Sequence, residues 1–226
     1  MSKPFLRKMR KYPRVTVVLK ALKLIENQAA SFVLPSVTVI SDRKKDPYLV
    51  LISCILSLRT KDKTTMEASS RLFEAADNPV AMLKLNPRRI EKLIYPVGFY
   101  RNKAAVILDI SRRIITEFCG KVPGTLEELL SFKGVGRKTA NLVLGLGFGV
   151  PAICVDTHVN RIPNRIGWIK TESPEETEEE LKKIIPKSRW IQLNTLLVAF
   201  GQNICKPVKP LCGLCHIEKM CEKRIK

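Results

Sequence analysis

From about Pro47 to Phe200, apolar residues recur at i, i+3 and i+4 with almost no strict alternation, a pattern that predicts helices and no sheet. A first helix over Val17–Ile25 sets Val18, Leu22 and Ile25 on one face, although Val15-Thr16-Val17-Val18 also suits a strand. Asp46-Pro47 supplies a capping oxygen and a first-turn proline for a helix through Leu49, Ile52, Ile55 and Leu56. That segment is apolar on all sides and is expected at the centre of the fold. Thr60 is positioned to cap a helix carrying Leu72 and Phe73, and Asn86-Pro87 opens another with Ile90, Leu93 and Ile94. The next helix carries Ala105, Ile107, Leu108, Ile110, Ile114 and Ile115, and Thr125 with Glu128 forms a capping box for the one after it. Ser173-Pro174-Glu175-Glu176 starts a further helix, whose acidic run Glu175–Glu180 reads as a solvated end. Trp190–Phe200 is the last apolar helix, and the whole reads as an all-α fold.

One stretch departs from plain helix building. In Ser131-Phe132-Lys133-Gly134-Val135-Gly136-Arg137-Lys138-Thr139-Ala140, two glycines flank one small apolar residue between two apolar helices. Glycine accepts φ > 0 without a Cβ clash, so a tight hairpin is expected there. The second helix then begins at the turn, with unpaired backbone N–H groups and a positive dipole end, which suits a phosphate. Lys138 lies in its first turn, where the dipole and any burial favour the neutral, nucleophilic amine. Asp156 follows eighteen residues later, after the glycines at 145, 147 and 149, which read as a helix end because no strand precedes them. An amine and a carboxylate near a phosphate-holding turn suit sugar chemistry on nucleic acid. Taken singly, Lys138 also reads as a solvated helix lysine and Asp156 as a helix cap, and both alternatives stand at this point.

Composition sharpens the partner. The 226 residues carry a formal net charge of +19 with a 45% hydrophobic share, an ordinary globular core under a surface made for a polyanion. Lys3, Arg7, Lys8, Arg10 and Lys11 form a basic arm that reads equally as a solvated tail or as a phosphate contact. No apolar run reaches the ~18 residues that span a membrane, and residues 1–30 lack the pattern of a secretory signal. Four of the seven cysteines, Cys205, Cys212, Cys215 and Cys221, fall within seventeen residues as C-x6-C-x2-C-x5-C. Such a set can enclose zinc or a 4Fe–4S cluster, although zinc ribbons usually carry two C-x2-C pairs set farther apart. An odd count with one cluster argues for an intracellular metal site over a disulfide framework, with Cys54, Cys119 and Cys154 as buried free thiols. His216, beside Cys215, reads as a surface histidine.

Phe132–Ala140 resembles the helix-hairpin-helix of the endonuclease III family of DNA base-excision glycosylases, and Val155-Asp156-Thr157-His158 resembles that family's catalytic aspartate segment. The cysteine spacing matches the family's iron–sulfur loop residue for residue. The resemblance covers about residues 30–226, and it departs from the family in having Phe132-Lys133 where Leu-Pro is usual. It implies two helical domains with double-stranded DNA in the cleft between them. One spans 36–148 and contains the hairpin; the other joins 1–35 to 149–226 and holds a 4Fe–4S cluster on the four cysteines. It implies removal of oxidised pyrimidines followed by β-elimination, with Lys138 as Schiff-base nucleophile, Asp156 as its acidic partner, and His158 behind Asp156. The DNA contacts it implies are Gly134, Val135, Gly136 and Arg137 in the hairpin and Lys206 and Lys209 in the cysteine loop. Arg59 stands where the family has a gap-filling glutamine, and Phe99 matches an apolar wedge or is a core aromatic. The rivals are a mismatch glycosylase of the same superfamily and a non-catalytic iron–sulfur DNA-binding module. A monomer working in the cytoplasm or nucleoid is expected.

Overall fold

The computed structural model describes residues 12–225, so Lys3, Arg7, Lys8, Arg10 and Lys11 of the basic arm lie outside the described residues. Among those described, the chain forms twelve α-helices and no strand. They are α1 (Val15–Ala29), α2 (Ser36–Arg43), α3 (Pro47–Ser57), α4 (Asp62–Ala75), α5 (Pro79–Leu83), α6 (Pro87–Ile94) and α7 (Tyr100–Glu117). After these come α8 (Leu126–Leu130), α9 (Arg137–Leu142), α10 (Thr157–Ile166), α11 (Pro174–Ile184) and α12 (Trp190–Asn203). Nothing among them is long and apolar enough to cross a membrane.

Local chemistry sets most of the starts. Asp46 accepts from the amides of Tyr48 (2.8 Å) and Leu49 (3.4 Å), Asn86 from Arg89 (2.8 Å), and Ser173 from Glu176 (3.1 Å). Proline follows each cap in the first turn, where its missing N–H costs nothing. Thr125 caps α8 by accepting from the Glu128 amide, but the Glu128 carboxylate takes the Thr125 hydroxyl, so half of the expected box forms. Thr60 does not cap α4, which Lys61 precedes without a side-chain bond; its hydroxyl faces other loops instead. Val15–Val18 is helical, and α1 runs past the expected end to Ala29.

Apolar burial divides the described residues into two cores. The first is built by α2 to α9 around α3, whose residues from Tyr48 to Leu56 are all buried, as its all-round apolar pattern requires. The second draws Val18, Leu22 and Ile25 from α1 together with Val159 and Ile162 from α10, Leu181 from α11, and Leu197 and Phe200 from α12. Its last member is Ile217, inside the cysteine loop. Polar bonds stitch the cores together: Thr38 to Thr195 (2.9 Å), Asn194 to the Cys154 carbonyl (3.2 Å), and Asp62, which takes the Ser36 hydroxyl (2.8 Å) and the Gln202 amide (2.8 Å).

Candidate active site

The hairpin turns at Gly134, whose φ of +82° lies where a Cβ is strained. The Val135 side chain is buried, and its N–H closes the turn on the Phe132 carbonyl at 3.1 Å. Gly134 and Gly136 are the exposed backbone of this turn. Phe132 fills the core beneath it, edge-on to Phe118 and under the Arg113 guanidinium. Phe132 thus packs the hairpin from inside, and Lys133, where the family usually has proline, is exposed.

Lys138 follows in the first turn of α9 and is exposed. It borders a cavity of about 220 Å³ whose wall also includes Asp156, Thr157, His158, Ser57, Leu58, Thr60, Asp62 and Gln202. The cavity lies where the two cores meet. Asp156 caps α10, its Oδ1 accepting from the amides of His158 and Val159 at 2.9 Å each. It is therefore a helix cap and a cavity-wall carboxylate together. Its second oxygen can face a substrate while the first secures its position. Burial lowers the His158 pKa against the pull of Asp156, and Arg161 and Lys138 lower it further, so the ring is neutral at neutral pH. His158 meets Asp156 through its backbone; its Nδ1 lies 3.1 Å from Arg161 Nη2. Burial pushes the thiol of Cys54, in the cavity wall, up to about 12 and raises Cys154 as well, so both stay protonated. Cys119, expected inside, is exposed at φ +51°, just past the end of α7.

Arg137 points elsewhere. Its guanidinium grips Glu178 of α11 twice, Nε to Oε2 at 2.7 Å and Nη2 to Oε1 at 3.2 Å. Glu178 is only 4% exposed, although it belongs to the acidic run read as solvated. The periodicity held the missing signal, since 178 shares a helix face with Leu181. Burial pushes the Glu178 carboxyl up, but hydrogen bonds from Arg137 and Lys182 outweigh it and hold the group below the ordinary carboxylate value.

Arg59 and Phe99 stand on two loops that interlock beside the cavity. Phe99 is 60% exposed, which excludes the core reading, and the Arg59 guanidinium sits 5.7 Å from its ring centre. Both backbones are left-handed, at φ +52° and +57°, a conformation costing roughly 1–3 kcal/mol each unless the surroundings enforce it. Lys103, buried on α7, does the enforcing. Its Nζ donates to the carbonyls of Leu56 (2.9 Å) and Leu58 (2.5 Å) and lies 3.3 Å from Thr60 Oγ1. That same Oγ1 takes the Gly98 amide at 3.2 Å, and a Cβ on Gly98 would lie 2.7 Å from the Arg59 carbonyl.

Burial pushes the Lys103 amine down to about 8 from its ordinary 10.5. Between those values the unfolded chain holds more protons than the folded one, so this group's stabilisation grows as pH rises and is lost as pH falls through about 8. Wild type is expected to gain melting temperature relative to Lys103→Met between roughly pH 7 and pH 10. A gap between the two proteins that stays constant over that range would refute the depressed Lys103 pKa.

The four cysteines of the C-terminal loop line one small cavity with Ile166, Phe200, Ile204 and Ile217. Among the described residues no three His, Cys, Asp or Glu side chains converge closely enough to hold a single metal ion. Four cysteine thiols around one small void are a donor set suited to a metal centre. Arg165 braces the loop, donating to Cys205 Sγ (3.4 Å) and to the carbonyls of Lys206 (2.7 Å) and Pro207 (3.1 Å). Arg161 ties the Cys205 carbonyl (2.9 Å) to His158. Lys206, Lys209 and His216 are exposed.

The sequence pattern of HhH-GPD superfamily base excision DNA repair proteins matches residues 52–187. Endonuclease III of Thermotoga maritima is 51% identical over 180 residues, covering 80% of this chain and 84% of its own. The chain belongs to the endonuclease III family. Membership makes it a base-excision repair enzyme, a DNA glycosylase with AP lyase activity. Solved structures agree with the fold. An endonuclease III in a non-covalent DNA complex matches with a TM-score of 0.82 at 32% identity, over 93% of this chain and 96% of that one. An endonuclease III trapped as a covalent DNA intermediate matches with a TM-score of 0.80 at 31% identity, over 93% and 97%.

Proposed function

We propose that this family member binds damaged duplex DNA across the junction of its two cores and releases oxidised pyrimidines with Lys138 and Asp156. The observation that carries the reading is the shared cavity: a first-turn lysine and a capping carboxylate, from different cores, line one space of about 220 Å³ open to solvent. The target nucleotide leaves the stack and enters that space. Asp156 stabilises positive charge on the sugar, or takes the proton of the amine. Lys138 Nζ attacks the anomeric carbon as the base departs with the bonding pair, and the adduct collapses to a Schiff base. Loss of a proton from the adjacent sugar carbon then breaks the bond to the 3′ oxygen by β-elimination.

The remaining assignments follow the same reading. Arg59 and Phe99 fill the gap left in the duplex and part the opposite strand. Gly134 and Gly136 offer backbone N–H groups to phosphate, and Lys206 and Lys209 add charge from the cysteine loop. Val135 supports the turn from within. Cys205, Cys212, Cys215 and Cys221 hold a 4Fe–4S cluster, whose contribution when bound is to fix the loop that presents those lysines. The two cores support two domains, 36–148 and 1–35 with 149–226. A monomer acting inside the cell completes the proposal.

The test is borohydride reduction on a duplex carrying one oxidised thymine, where a covalent adduct is expected with wild type. Base release with an intact strand and no adduct would replace it with a monofunctional glycosylase. Binding is expected to be steeply salt-dependent, log affinity falling by about 0.9 per phosphate contact per log unit of salt. A flat salt response would remove the cleft from the scheme.

A further inference from the structure

The acidic run of α11 contains one residue that its solvated neighbours do not explain. Glu178 is buried, and its carboxylate collects four donors. Oε2 takes Arg137 Nε (2.7 Å) and Asn141 Nδ2 (3.1 Å), and Oε1 takes Arg137 Nη2 (3.2 Å) and Lys182 Nζ (2.7 Å). Arg137 and Asn141 are four residues apart on α9, hence on one face of that helix, and Lys138 lies about 100° round from Arg137. Asn141 is buried too, and its Nδ2 also donates to the Ile153 carbonyl at 2.9 Å, three residues before Asp156. Asn194 holds the next carbonyl, Cys154, at 3.2 Å. A carboxylate from one core thus grips the helix that carries Lys138, and the same amide that binds it grips the segment that delivers Asp156.

We propose that Glu178 is a positioning residue for the reaction, fixing α9 and the Ile153–Val155 segment to each other so that Lys138 and Asp156 face one sugar. The proposal rests on the roles given to Lys138 and Asp156 above. A buried charge is costly unless its lone pairs are satisfied, and here each oxygen has two partners, so the group has one orientation. That orientation is transmitted rigidly, because both ends of the contact are packed helices. It also gives Arg137 a role inside the protein: its guanidinium aligns the catalytic helix and is not spent on phosphate.

Three quantities separate alignment from mere folding. They are the single-turnover rate of base release, the dissociation constant for a duplex with an uncleavable abasic analogue, and the melting temperature. Glu178→Gln keeps the shape and removes the charge. Its rate is expected to fall about 10- to 100-fold, the scale on which a misplacement of about 1 Å acts. Affinity for the analogue should stay within about 3-fold, because no phosphate contact is lost. Arg137→Met, at a partly exposed position, is the second variant and serves if Glu178→Gln does not fold. It should show the same rate loss with an unchanged salt slope, and the double variant should be no slower than the worse single one, since the pair acts as a unit. A wild-type rate in either folded variant overturns the proposal. So does a rate loss matched by an equal loss of affinity, or a reduced salt slope in Arg137→Met. Wild type that forms no borohydride adduct would instead overturn the assignment of Lys138 as Schiff-base nucleophile, whereas the Glu178 proposal is read from base release and analogue affinity, which need no adduct.

Discussion

Lys138→Ala is expected to form no borohydride adduct and to lose strand cleavage by about 10⁴- to 10⁶-fold, the scale on which removal of a covalent nucleophile acts. The loss should be purely chemical. Lys138 is exposed in the first turn of α9, and alanine is the better helix former, so melting temperature and circular dichroism should match wild type. Asp156 needs a subtler pair of variants because it serves two ends. Asparagine caps a helix about as well as aspartate, so Asp156→Asn should keep the bonds to the His158 and Val159 amides and lose only the charge. Its rate should fall steeply at unchanged stability. Asp156→Ala should lose the same rate and, in addition, about 1 kcal/mol of stability. If Asp156→Asn kept the wild-type rate, the carboxylate would be a cap and nothing more. An adduct persisting in Lys138→Ala would move the nucleophile to another amine.

These tests exploit what local sequence encodes well. Asp46, Asn86, Thr125 and Ser173 were legible as caps because the bond each makes is to an amide two or three residues away. The central position of α3 was legible because a segment apolar on all sides has nowhere else to go. Residues whose partners are remote in the chain were not. Glu178 looked like its neighbours because Arg137 is 41 residues distant, and Lys103 gave no sign of burial because its carbonyl acceptors lie 45 and 47 residues back. Thr60 has a capping residue's chemistry, but Gly98 and Lys103 claim its hydroxyl. The Ser36-Val37-Thr38-Val39-Ile40 stretch alternates and is β-branched, a strand pattern, yet it forms α2, held by packing on the first core and by the Ser36–Asp62 bond. At the site itself, motif singled out Lys138 and Asp156 as candidates, whereas their sharing of one cavity wall, the pairing of Arg137 with Glu178 and the exposure of Phe99 required the fold.

The cysteine loop gives the second large effect, because it joins stability to binding. Ile217 is a fully buried member of the second core, and Cys205, Cys215, Met220 and Cys221 pack against that core. The loop has little regular structure to keep Ile217 there; its helical pieces, Cys212–Leu214 and Glu218–Met220, are three residues each. Four ligated sulfurs would close it covalently, and a site of this kind contributes its binding free energy to folding. Cys212→Ser is therefore expected to lose bound iron and sulfide and the associated visible absorption. It should also lower the melting temperature and weaken DNA affinity several-fold as Lys206 and Lys209 lose their fixed setting. The rate of base release at saturating enzyme should fall less than the affinity, since Lys138 and Asp156 are held by α9 and α10. Arg161 is the route by which some effect reaches the catalytic side, because it bonds both the Cys205 carbonyl and His158. Wild type purified with stoichiometric zinc in place of iron would overturn the cluster assignment. A Cys212→Ser protein with unchanged stability would show that Ile217 stays buried without the ligated loop.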